Sequence, residues 1–407
     1  MNFNGDMVKK ANRKFMQKWN RQLVLAIARE SGLISQVDIM RKSGLSAGTV
    51  VNITRQLRKE KFLQPVGQGK SIGGRRPNIL KFNTSAKYII SALCLYKETQ
   101  IAIVDLAGVI IARTSFPTLP EKGVENFLKN FKEHLDRLFK SSSVTLAKMM
   151  ALCVSFEGMV DARAGVLIHC VRLGWKDVPF KDHFQTQLGI DTYIENNGRT
   201  AVLGEHVFGV GKPFQNIVYL ALESGIGASI IHEGRIFHGS HQMEGEIGHT
   251  VRDPAGPLCR CGKRGCLEAL AAGPAVIAAA RAVGLAGMAE INGTKSEEET
   301  YHHVLCLAGQ GDKKARQILE KAAQLLGHAI ADIINLVDTE LVVLAGYMVE
   351  KDADFLLNMI RDVAQARFLD NPRRRVNIVK GSLGNDAVLI GGAMLACQKT
   401  FSMPEWK

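Results

Sequence analysis

The sequence predicts an α/β protein with a small helical head and a larger two-lobed body. The chain has 407 residues, which suggests two or three domains. Residues 1–87 carry 18 Lys and Arg against 4 Asp and Glu, whereas the rest of the chain carries 34 against 35. The whole basic excess therefore lies in the head, which indicates a polyanion-binding segment on a neutral body. After residue 87, two rounds of three strands and a helix predict two related lobes with a cleft between them.

The head has the pattern of three short helices followed by a β-hairpin. The helices are predicted over residues 19–30, 36–42 and 47–60, and the hairpin strands over 62–66 and 79–82. Ser35 and Ser46 stand where N-caps of the second and third helices are needed. This order is typical of a winged helix-turn-helix, whose recognition helix enters the DNA major groove.

The outward face of the third helix predicts the DNA contacts. Its polar residues are Thr49, Asn52, Thr54, Arg55, Gln56, Arg58 and Lys59. Thr49, Asn52 and Gln56 suit base edges, and Arg55 suits a guanine or a phosphate. Ser46 and Arg58 suit phosphate oxygens better. In the wing, the segment Gly73-Gly74-Arg75-Arg76-Pro77 offers pliable backbone and two cations, Arg75 and Arg76, that suit a minor groove.

The body alternates predicted strands and helices. Strands are expected over residues 88–95, 100–105, 150–156, 217–222, 228–232, 235–237 and 341–345. Helices are expected over 124–139, from 198 onward, and over 267–282, 301–308, 314–336 and 387–397.

Four potential metal ligands stand close together in the second half of the chain. They are His249, Cys259, Cys261 and Cys266, spaced His-x9-Cys-x-Cys-x4-Cys. Three thiolates and an imidazole suit a tetrahedral Zn²⁺ site. Because four protein ligands leave no open position for water, the predicted zinc is structural rather than catalytic. Clustered cysteines also favour metal binding in a reducing compartment over a disulfide framework.

These residues resemble the signature of the ROK family (repressors, open reading frames and kinases). The resemblance is carried by Glu244-Gly245-Glu246-Ile247-Gly248-His249 and by the segment from Cys259 to Glu268, and it extends over nearly the whole chain. The segment 73–77 is similar to the wing of the repressor branch, of the xylose, N-acetylglucosamine and glucose type. Residues 384–387 and 390–393 resemble the C-terminal family segment. The family implies an actin/hexokinase-like (ribonuclease H-like) body, a sugar in the interlobe cleft, and homodimers or homotetramers.

The resemblance also implies which residues contact the sugar. They are Asn196, Asn197, Glu246, His249 and Glu268. His249 could place one ring nitrogen on zinc and the other toward the sugar. Carboxylates and an imidazole that face a polyol form a strong hydrogen-bond set.

The chain departs from the kinase branch of the family at three places. Asn197 stands where kinases have the aspartate that takes the proton from the sugar hydroxyl, and an amide cannot act as that base. Residues 93–97, Leu-Cys-Leu-Tyr-Lys, replace the family's Asp-x-Gly-Gly-Thr phosphate loop, and residues 345–347, Ala-Gly-Tyr, replace a glycine pair. Only the second phosphate segment, residues 224–227, survives in part. The chain is therefore expected to be no enzyme.

The sugar itself stays open at this stage. Arg172 near the cleft and the missing carboxylate at Asn197 favour an acidic or phosphorylated sugar. Glu157 argues against it, and the alternative is a neutral hexose, an N-acetyl sugar or a pentose.

The expected function is a sugar-responsive DNA-binding regulator of carbohydrate genes, most simply a repressor. Two alternatives remain: a regulator controlled by a protein partner such as a sugar-transport component, and an active sugar kinase with a DNA-binding extension. The expected partners are double-stranded operator DNA, a small sugar or sugar phosphate, and further copies of the chain. Because the N-terminus is polar and no apolar run reaches 18 residues, we expect a bacterial cytoplasmic protein that joins the nucleoid when bound to DNA.

The expected domains follow from these segments. They are 1–84, the winged helix-turn-helix; 85–198, the first lobe; 199–385, the second lobe with the zinc site and an oligomerisation surface; and 386–407, a C-terminal helix that returns to the first lobe.

Overall fold

The computed structural model describes residues 13–69, 77–291, 295–351 and 353–402. The predicted α/β class is confirmed, with a winged helix-turn-helix head and a body of two five-stranded sheets. Within these residues, no helix combines the length and the apolar character that crossing a bilayer requires. The predicted DNA contacts Arg75 and Arg76 lie outside the described residues.

The head contains the predicted helices and hairpin. Its elements are α1 (Arg13–Ser31), β1 (Leu33–Ser35), α2 (Gln36–Ser43), α3 (Ala47–Lys59), β2 (Leu63–Gln68) and β3 (Asn78–Phe82). The three strands form one antiparallel sheet in the order β1-β3-β2. Ser35 and Ser46 cap α2 and α3, because each hydroxyl accepts the backbone N–H three residues on. Helix α1 is already helical at Arg13, where the described residues begin, and so covers the predicted helix from residue 19 and extends before it.

One predicted DNA-facing residue of α3 is buried. Thr54 has no exposed surface, and its hydroxyl donates to the Val50 carbonyl at 2.8 Å while Gln36 Nε2 donates to it at 2.7 Å. Sequence periodicity placed Thr54 outward, and this is wrong. Its role is to join α3 to α2, so it holds the helix-turn-helix angle rather than contacting DNA.

The first lobe is built on a five-stranded sheet. Its elements are β4 (Tyr88–Cys94), β5 (Glu98–Asp105), β6 (Ile110–Pro117), α4 (Gly123–Ser142), β7 (Met149–Phe156), β8 (Met159–Asp161), β9 (Val166–Cys170), β10 (Trp175–Val178), α5 (Phe180–Leu188) and β11 (Asp191–Asn196). The sheet order is β11-β7-β4-β5-β6, in which β4, β7 and β11 are parallel and the β4-β5-β6 meander is antiparallel. Helices α4 and α5 cover one face through an aromatic cluster around Phe127, Phe131 and Phe180.

The second lobe repeats this topology. Helix α6 (Asn197–Phe208) leads to β12 (Ile217–Leu222), β13 (Ile226–His232), β14 (Arg235–Ile236), α7 (Leu267–Ala271), α8 (Gly273–Ala282), α9 (Glu297–Gly309), α10 (Lys313–Val337), β15 (Leu341–Ala345), α11 (Tyr347–Glu350), α12 (Asp354–Gln365), β16 (Asn377–Lys380) and α13 (Ala387–Phe401). The sheet order β16-β15-β12-β13-β14 matches the first lobe strand for strand, with the same parallel and antiparallel pairs. Two equivalent sheets are what a two-lobed actin/hexokinase-like body requires.

One expected helix of this lobe is divided, and helices α11 and α12 have no counterpart in the sequence prediction. The expected single helix over residues 267–282 is divided at Ala272, whose extended backbone (φ −71°, ψ 167°) ends α7. Gly273 and Pro274 then begin α8. Because proline is tolerated in the first turn but not inside a helix, its position marks the break.

Helices α6 and α13 pack between the two sheets. Residues of both helices share one hydrophobic cluster with β4 and β5 of the first lobe and with β12 and β15 of the second. The two helices touch backbone to backbone: a Cβ on Gly391 would lie 1.7 Å from the Thr200 carbonyl oxygen, and a Cβ on Gly204 would lie 2.3 Å from the Ala387 carbonyl oxygen. The glycines therefore set the distance between the helices.

The head packs on the C-terminal end of α13. Phe62 of the head and Phe401 of α13 are in edge-to-face contact with ring centroids 5.8 Å apart. Gln22 of α1 donates to the Thr400 carbonyl at 3.3 Å. The apolar core of the head belongs to the same cluster as α6 and α13, so head and body are one packed unit.

We expect Gly391→Ala to lower the free energy of unfolding by about 1–3 kcal/mol, the range for overpacked sites, because the added methyl meets backbone that cannot rotate away. Gly309→Ala is the matched control: it ends α9 in open space, and alanine should be neutral or more stable by up to about 1 kcal/mol there. Urea unfolding monitored by circular dichroism measures both. Equal stability of the two variants would contradict the close helix crossing.

Candidate functional site

A cavity of about 120 Å³ lies where the start of α6 meets β12 and β13, and we call it the cleft. Its lining residues are Gly158, Met159, Asn196, Asn197, Gly198, Arg199, Tyr219, Ala221, Gly227, Ala228, Ser229, Gln242, Glu244, Gly245 and Glu246. Pockets for drug-sized ligands run to roughly 300–1,000 Å³. The cleft is therefore of a size for one small polar molecule, and it brings together three predicted sugar contacts, Asn196, Asn197 and Glu246.

The two asparagines form the N-terminal turn of α6. Asn196 is the N-cap, and its Oδ1 accepts the Gly198 and Arg199 N–H groups at 2.9 and 3.3 Å. Its Nδ2 donates to the Gly158 carbonyl at 3.0 Å, so both ends of this amide have protein partners. Within the described part of the chain, Asn197 Oδ1 accepts the Gly198 N–H at 3.0 Å and its amide NH₂ has no partner, so that NH₂ can donate to a ligand.

A buried ionic network lies beneath the cleft. The Arg199 side chain is 4% exposed and pairs with two carboxylates, with Nε 2.8 Å from Glu195 Oε1 and Nη1 2.9 Å from Glu244 Oε1. His238 Nε2 lies 3.2 Å from the other oxygen of Glu195. Buried charges are stable only when paired, so Arg199 holds strand β11 and the segment around Glu244 together.

The segment from His238 to Glu246 crosses from the second lobe to the first. Gln242 has a left-handed backbone (φ 55°), and its side-chain amide donates to Asp161 Oδ1 at 2.7 Å and accepts the Ala162 N–H at 2.8 Å. Glu244 Oε2 accepts the Gly239 N–H at 2.8 Å. Hydrogen bonds of Gln242 and Glu244 thus fix the segment at two points, and Glu246 lies at its end.

The remaining predicted sugar contacts lie behind the cleft. His249 Nε2 is 3.8 Å from Glu246 Oε2, so the imidazole lies next to the cleft carboxylate. Glu268 has its own protein partners, because it accepts the Ile226 N–H at 3.2 Å and pairs with Arg260 at 3.0 Å. Neither His249 nor Glu268 lines the cavity itself.

The four predicted metal ligands converge. One ligand atom from each of His249, Cys259, Cys261 and Cys266 lies within 4.8 Å of every other. The Cys261 and Cys266 sulfurs are 3.6 Å apart, and Cys259 Sγ is 3.6 Å from His249 Nδ1. Ligands about 2.3 Å from a tetrahedral zinc lie about 3.8 Å from one another, so the cluster fits a metal ion of this kind.

The loop that carries the cysteines is held by backbone contacts. Gly265 has φ 67°, and a Cβ there would lie 1.4 Å from the Asp253 carbonyl oxygen. Burial raises the pKa of Cys266 to about 12, whereas the Lys263 backbone N–H lowers the pKa of Cys261. A buried thiol of this kind loses its proton when a cation stabilises the thiolate.

Arg172 and Glu157 neutralise one another outside the cleft. Their charged groups are 3.5 Å apart, and the Arg172 guanidinium stands 5.7 Å above the Tyr96 ring. Glu157 Oε1 also accepts the Tyr96 backbone N–H at 3.1 Å. Burial raises the pKa of Glu157, and Arg172 opposes that shift. The arginine expected near the cleft is therefore already engaged.

Tyr347 fills the space beside the second-lobe glycines. A Cβ on Gly273 would lie 1.9 Å from the Tyr347 hydroxyl oxygen. That hydroxyl donates to Glu297 at 2.5 Å, and Ser224 donates to the same carboxylate oxygen at 2.6 Å. Tyr347 is thus a fixed part of the second lobe.

The head presents a basic groove of about 480 Å³ at the C-terminal end of α3. Arg55, Arg58, Lys59 and Lys61 line it together with Leu63, Gln64 and Pro65. The nearest acid in sequence, Glu60, pairs with Arg21 at 2.5 Å. The side chains of Asn52 and Gln56 are exposed to solvent, and so are the four cations. The Ser46 hydroxyl, in contrast, caps α3.

The fold and the cleft define a two-lobed actin/hexokinase-like protein with a winged helix-turn-helix head. A model of the ROK family matches residues 96–399, and the chain belongs to the ROK family. It is similar to the xylose repressor of Caldicellulosiruptor bescii, at 25% identity over 97% of this chain and 99% of that protein. It is also similar to a glucokinase of Halalkalibacterium halodurans, at 30% identity over 75% of this chain and 93% of the enzyme.

A solved structure shows the same complete architecture. It is a ROK family transcriptional regulator, a homologue of the E. coli MLC protein, with a TM-score of 0.82 at 22% identity. The match covers 96% of this chain and 98% of that one, so it includes both head and body.

The sequence missed several residues of these sites. They are Arg199, Ser229, Gln242, Glu244, Lys61 and Gln64. Glu244 stands in the same segment as the predicted Glu246, so proximity could have suggested it. Arg199 and Gln242 gave no signal, because their roles depend on partners that are distant in sequence.

We expect Arg199→Met to cost about 3–5 kcal/mol of stability, the range for one partner removed from a buried ion pair, since Glu195 and Glu244 would stay buried without a cation. Arg172→Met is the control: Arg172 is 40% exposed, and surface pairs contribute about 0–1 kcal/mol. Thermal and urea unfolding measure both variants. A loss of the same size in both would show that Arg199 is no more important than a surface charge.

Proposed function

We propose that this chain is a sugar-responsive, DNA-binding transcriptional repressor of carbohydrate genes. The observation that carries the proposal is the connection of two sites through one core. The cleft lies at the N-terminal turn of α6, α6 packs on α13, and α13 ends against a basic winged helix-turn-helix.

The head supplies the DNA interface. Residues Ser46, Thr49, Asn52, Arg55, Gln56 and Arg58 of the predicted contacts lie on or next to the open face of α3, and Arg75 and Arg76 would extend the contact from the wing. Lys59, Lys61 and Gln64 add to the basic groove between α3 and the wing. Cations without acidic partners suit phosphate oxygens, and the amides of Asn52 and Gln56 suit adenine edges. The similarity to a xylose repressor supports the same role.

The cleft would bind the effector. Asn197 and Glu246 offer groups for direct sugar contact, whereas Asn196 holds the cleft wall and His249 and Glu268 position Glu246 and β13 from behind. The only arginine that lines the described cleft, Arg199, already pairs with the two carboxylates of Glu195 and Glu244, and Arg172 pairs with Glu157 outside the cleft. We therefore favour a neutral sugar over an acidic or phosphorylated one.

Coupling would pass through the helices between the sheets. A sugar that draws β13 toward the start of α6 changes the interlobe angle, and close backbone contact transmits that change to α13. Because α13 bears on Gln22 and Phe62, the head would shift relative to its copy in a homodimer or homotetramer. The relative position of the two heads in a dimer fixes the spacing of the DNA half-sites that they can bind together.

The boundaries 1–84, 85–198, 199–385 and 386–407 are proposed as the domain division. Support comes from the short connections between β3 and β4 and between β11 and α6, and from the return of α13 to the space between the sheets. A DNA-binding role would place the protein in the bacterial cytoplasm, at the nucleoid when bound.

Phosphoryl transfer is not part of the proposal. Asn197 has no proton-accepting carboxylate, Glu157 already accepts the Tyr96 N–H in the first-lobe loop, and Tyr347 fills space beside Gly273. The similarity to a glucokinase is the reason to test it directly. Sugar-dependent conversion of ATP to ADP by the pure protein would overturn this part of the proposal.

The central experiment is an operator titration. A duplex that the protein selects from random DNA should bind it with a Kd of roughly 10⁻⁸–10⁻¹¹ M at physiological salt. One of D-xylose, D-glucose or N-acetylglucosamine should weaken binding by about 10-fold, within the usual range of allosteric coupling, and glucose 6-phosphate should not. Arg55→Ala should weaken DNA binding and leave the ratio with and without sugar unchanged. Affinity that is flat across the sugars would favour control by a protein partner instead.

We propose structural Zn²⁺ at His249, Cys259, Cys261 and Cys266, supported by the converging ligand atoms. Elemental analysis should find one zinc per chain, and Cys261→Ser should remove it and lower the melting temperature. Cys306→Ser, outside the cluster, should keep both at the wild-type level. A second test removes the zinc from the wild-type protein with a strong chelator and confirms its loss by elemental analysis. An unchanged melting temperature after this treatment would argue against a structural metal.

A further inference from the structure

Most polar groups around the cleft are already used by the protein. The Asn196 amide, the Gln242 amide and the Arg199 and Glu244 charges all have protein partners. Groups of this kind hold the cleft in shape and have little hydrogen-bonding capacity left for a ligand. The hydrogen bonds that recognise a ligand must therefore come from the few polar groups of the described cleft that have no protein partner.

Ser229 is one of these groups, and no sequence motif indicated it. It lies on β13 opposite Tyr219 and is 4% exposed. Among the described residues its hydroxyl has no hydrogen-bond partner, yet it lines the cleft. The Ser229 residue is nearly buried, but its Oγ is not among the fully buried side-chain atoms of the described residues, so the hydroxyl faces the open cleft, where a ligand group can bond it.

The opposite wall at this point is a glycine. A Cβ on Gly198 would lie 2.7 Å from Ser229 Oγ. Any side chain there would cover the hydroxyl, so the bare backbone of Gly198 keeps Ser229 open to the cleft. Ser229 belongs to the second lobe and Gly198 to the first turn of α6, and a ligand at this point therefore touches both walls.

We infer that Ser229 is a specificity-determining contact that hydrogen-bonds a hydroxyl of a neutral sugar. The inference rests on the proposed function, because it names a contact within the proposed sugar cleft. A serine hydroxyl both donates and accepts, as a sugar hydroxyl does. An anionic substituent would meet the Glu246 carboxylate nearby and no unpaired cation among the described cleft residues.

The test measures sugar affinity by calorimetry with the full chain and D-xylose, D-glucose and N-acetylglucosamine. Ser229→Ala should weaken the sugar that binds the wild type by about 10-fold, the effect of one hydrogen bond in a buried site. Gly198→Ala should do the same, because its methyl covers an unchanged hydroxyl. Ser224→Ala is the control: that serine lies in the neighbouring turn, bonds Glu297, and should leave affinity unchanged.

Deoxy derivatives of the bound sugar identify the contact. One deoxy sugar should bind the wild type and Ser229→Ala equally, while the others keep the 10-fold difference, which is the signature of a direct pair in a double-mutant cycle. Melting without sugar checks that both variants fold.

The outcomes separate the two proposals. If the wild type responds to a sugar and Ser229→Ala binds every sugar and deoxy sugar as the wild type does, this inference fails and the sugar-responsive function stands. If none of the three sugars binds the wild type, both fail.

Discussion

The structure depends on the close contact between α6 and α13. These helices lie back to back between two equivalent sheets, and their distance is set by Gly204 and Gly391, where any side chain would meet carbonyl oxygen. Each helix then has a second task at one end. The first turn of α6 forms one wall of the cleft, and the last turn of α13 supports the head. Because close-packed interiors transmit strain, this contact is the route by which a change at one end would reach the other.

The polar groups around the cleft fall into two sets. One set is bonded to other protein groups and holds the cleft in shape, and the other is free to contact a ligand. Arg199, Glu195 and Glu244 satisfy one another, and their burial fixes the segment that carries Glu246. On the proposed function, the groups left for a ligand in the described cleft include Asn197, Ser229 and Glu246. This arrangement suits a site that distinguishes similar sugars, because groups already held in place lose little freedom when the ligand arrives.

Much of this could be predicted from the sequence, and the failures have physical reasons. The head helices, the Cys₃His cluster and the two-lobed body depend on local spacing, which a sequence displays directly. Thr54 was misplaced because a hydroxyl on a helix face can be buried by a partner such as Gln36 from another helix. Strands β8, β9 and β10 are too short to show a period. Arg199 and Ser229 have roles that exist only where β11, α6 and β13 meet, and that meeting is a property of the fold.

On the proposed function, the differences from a kinase favour binding over turnover. A kinase gains rate only from interactions that are stronger in the transition state than with the bound sugar. A sensor needs the opposite, because its signal grows with the stability of the ground-state complex. Asn197 keeps a hydrogen-bonding amide at the start of α6 without the base that would pull a proton from the ligand. Tyr347 lies against Gly273, and Glu157 accepts the Tyr96 N–H, so these groups already have protein partners. A two-lobed body that closes on a single ligand, joined through α13 to a DNA-binding head, has what a switch requires: two states and one ligand that prefers one of them.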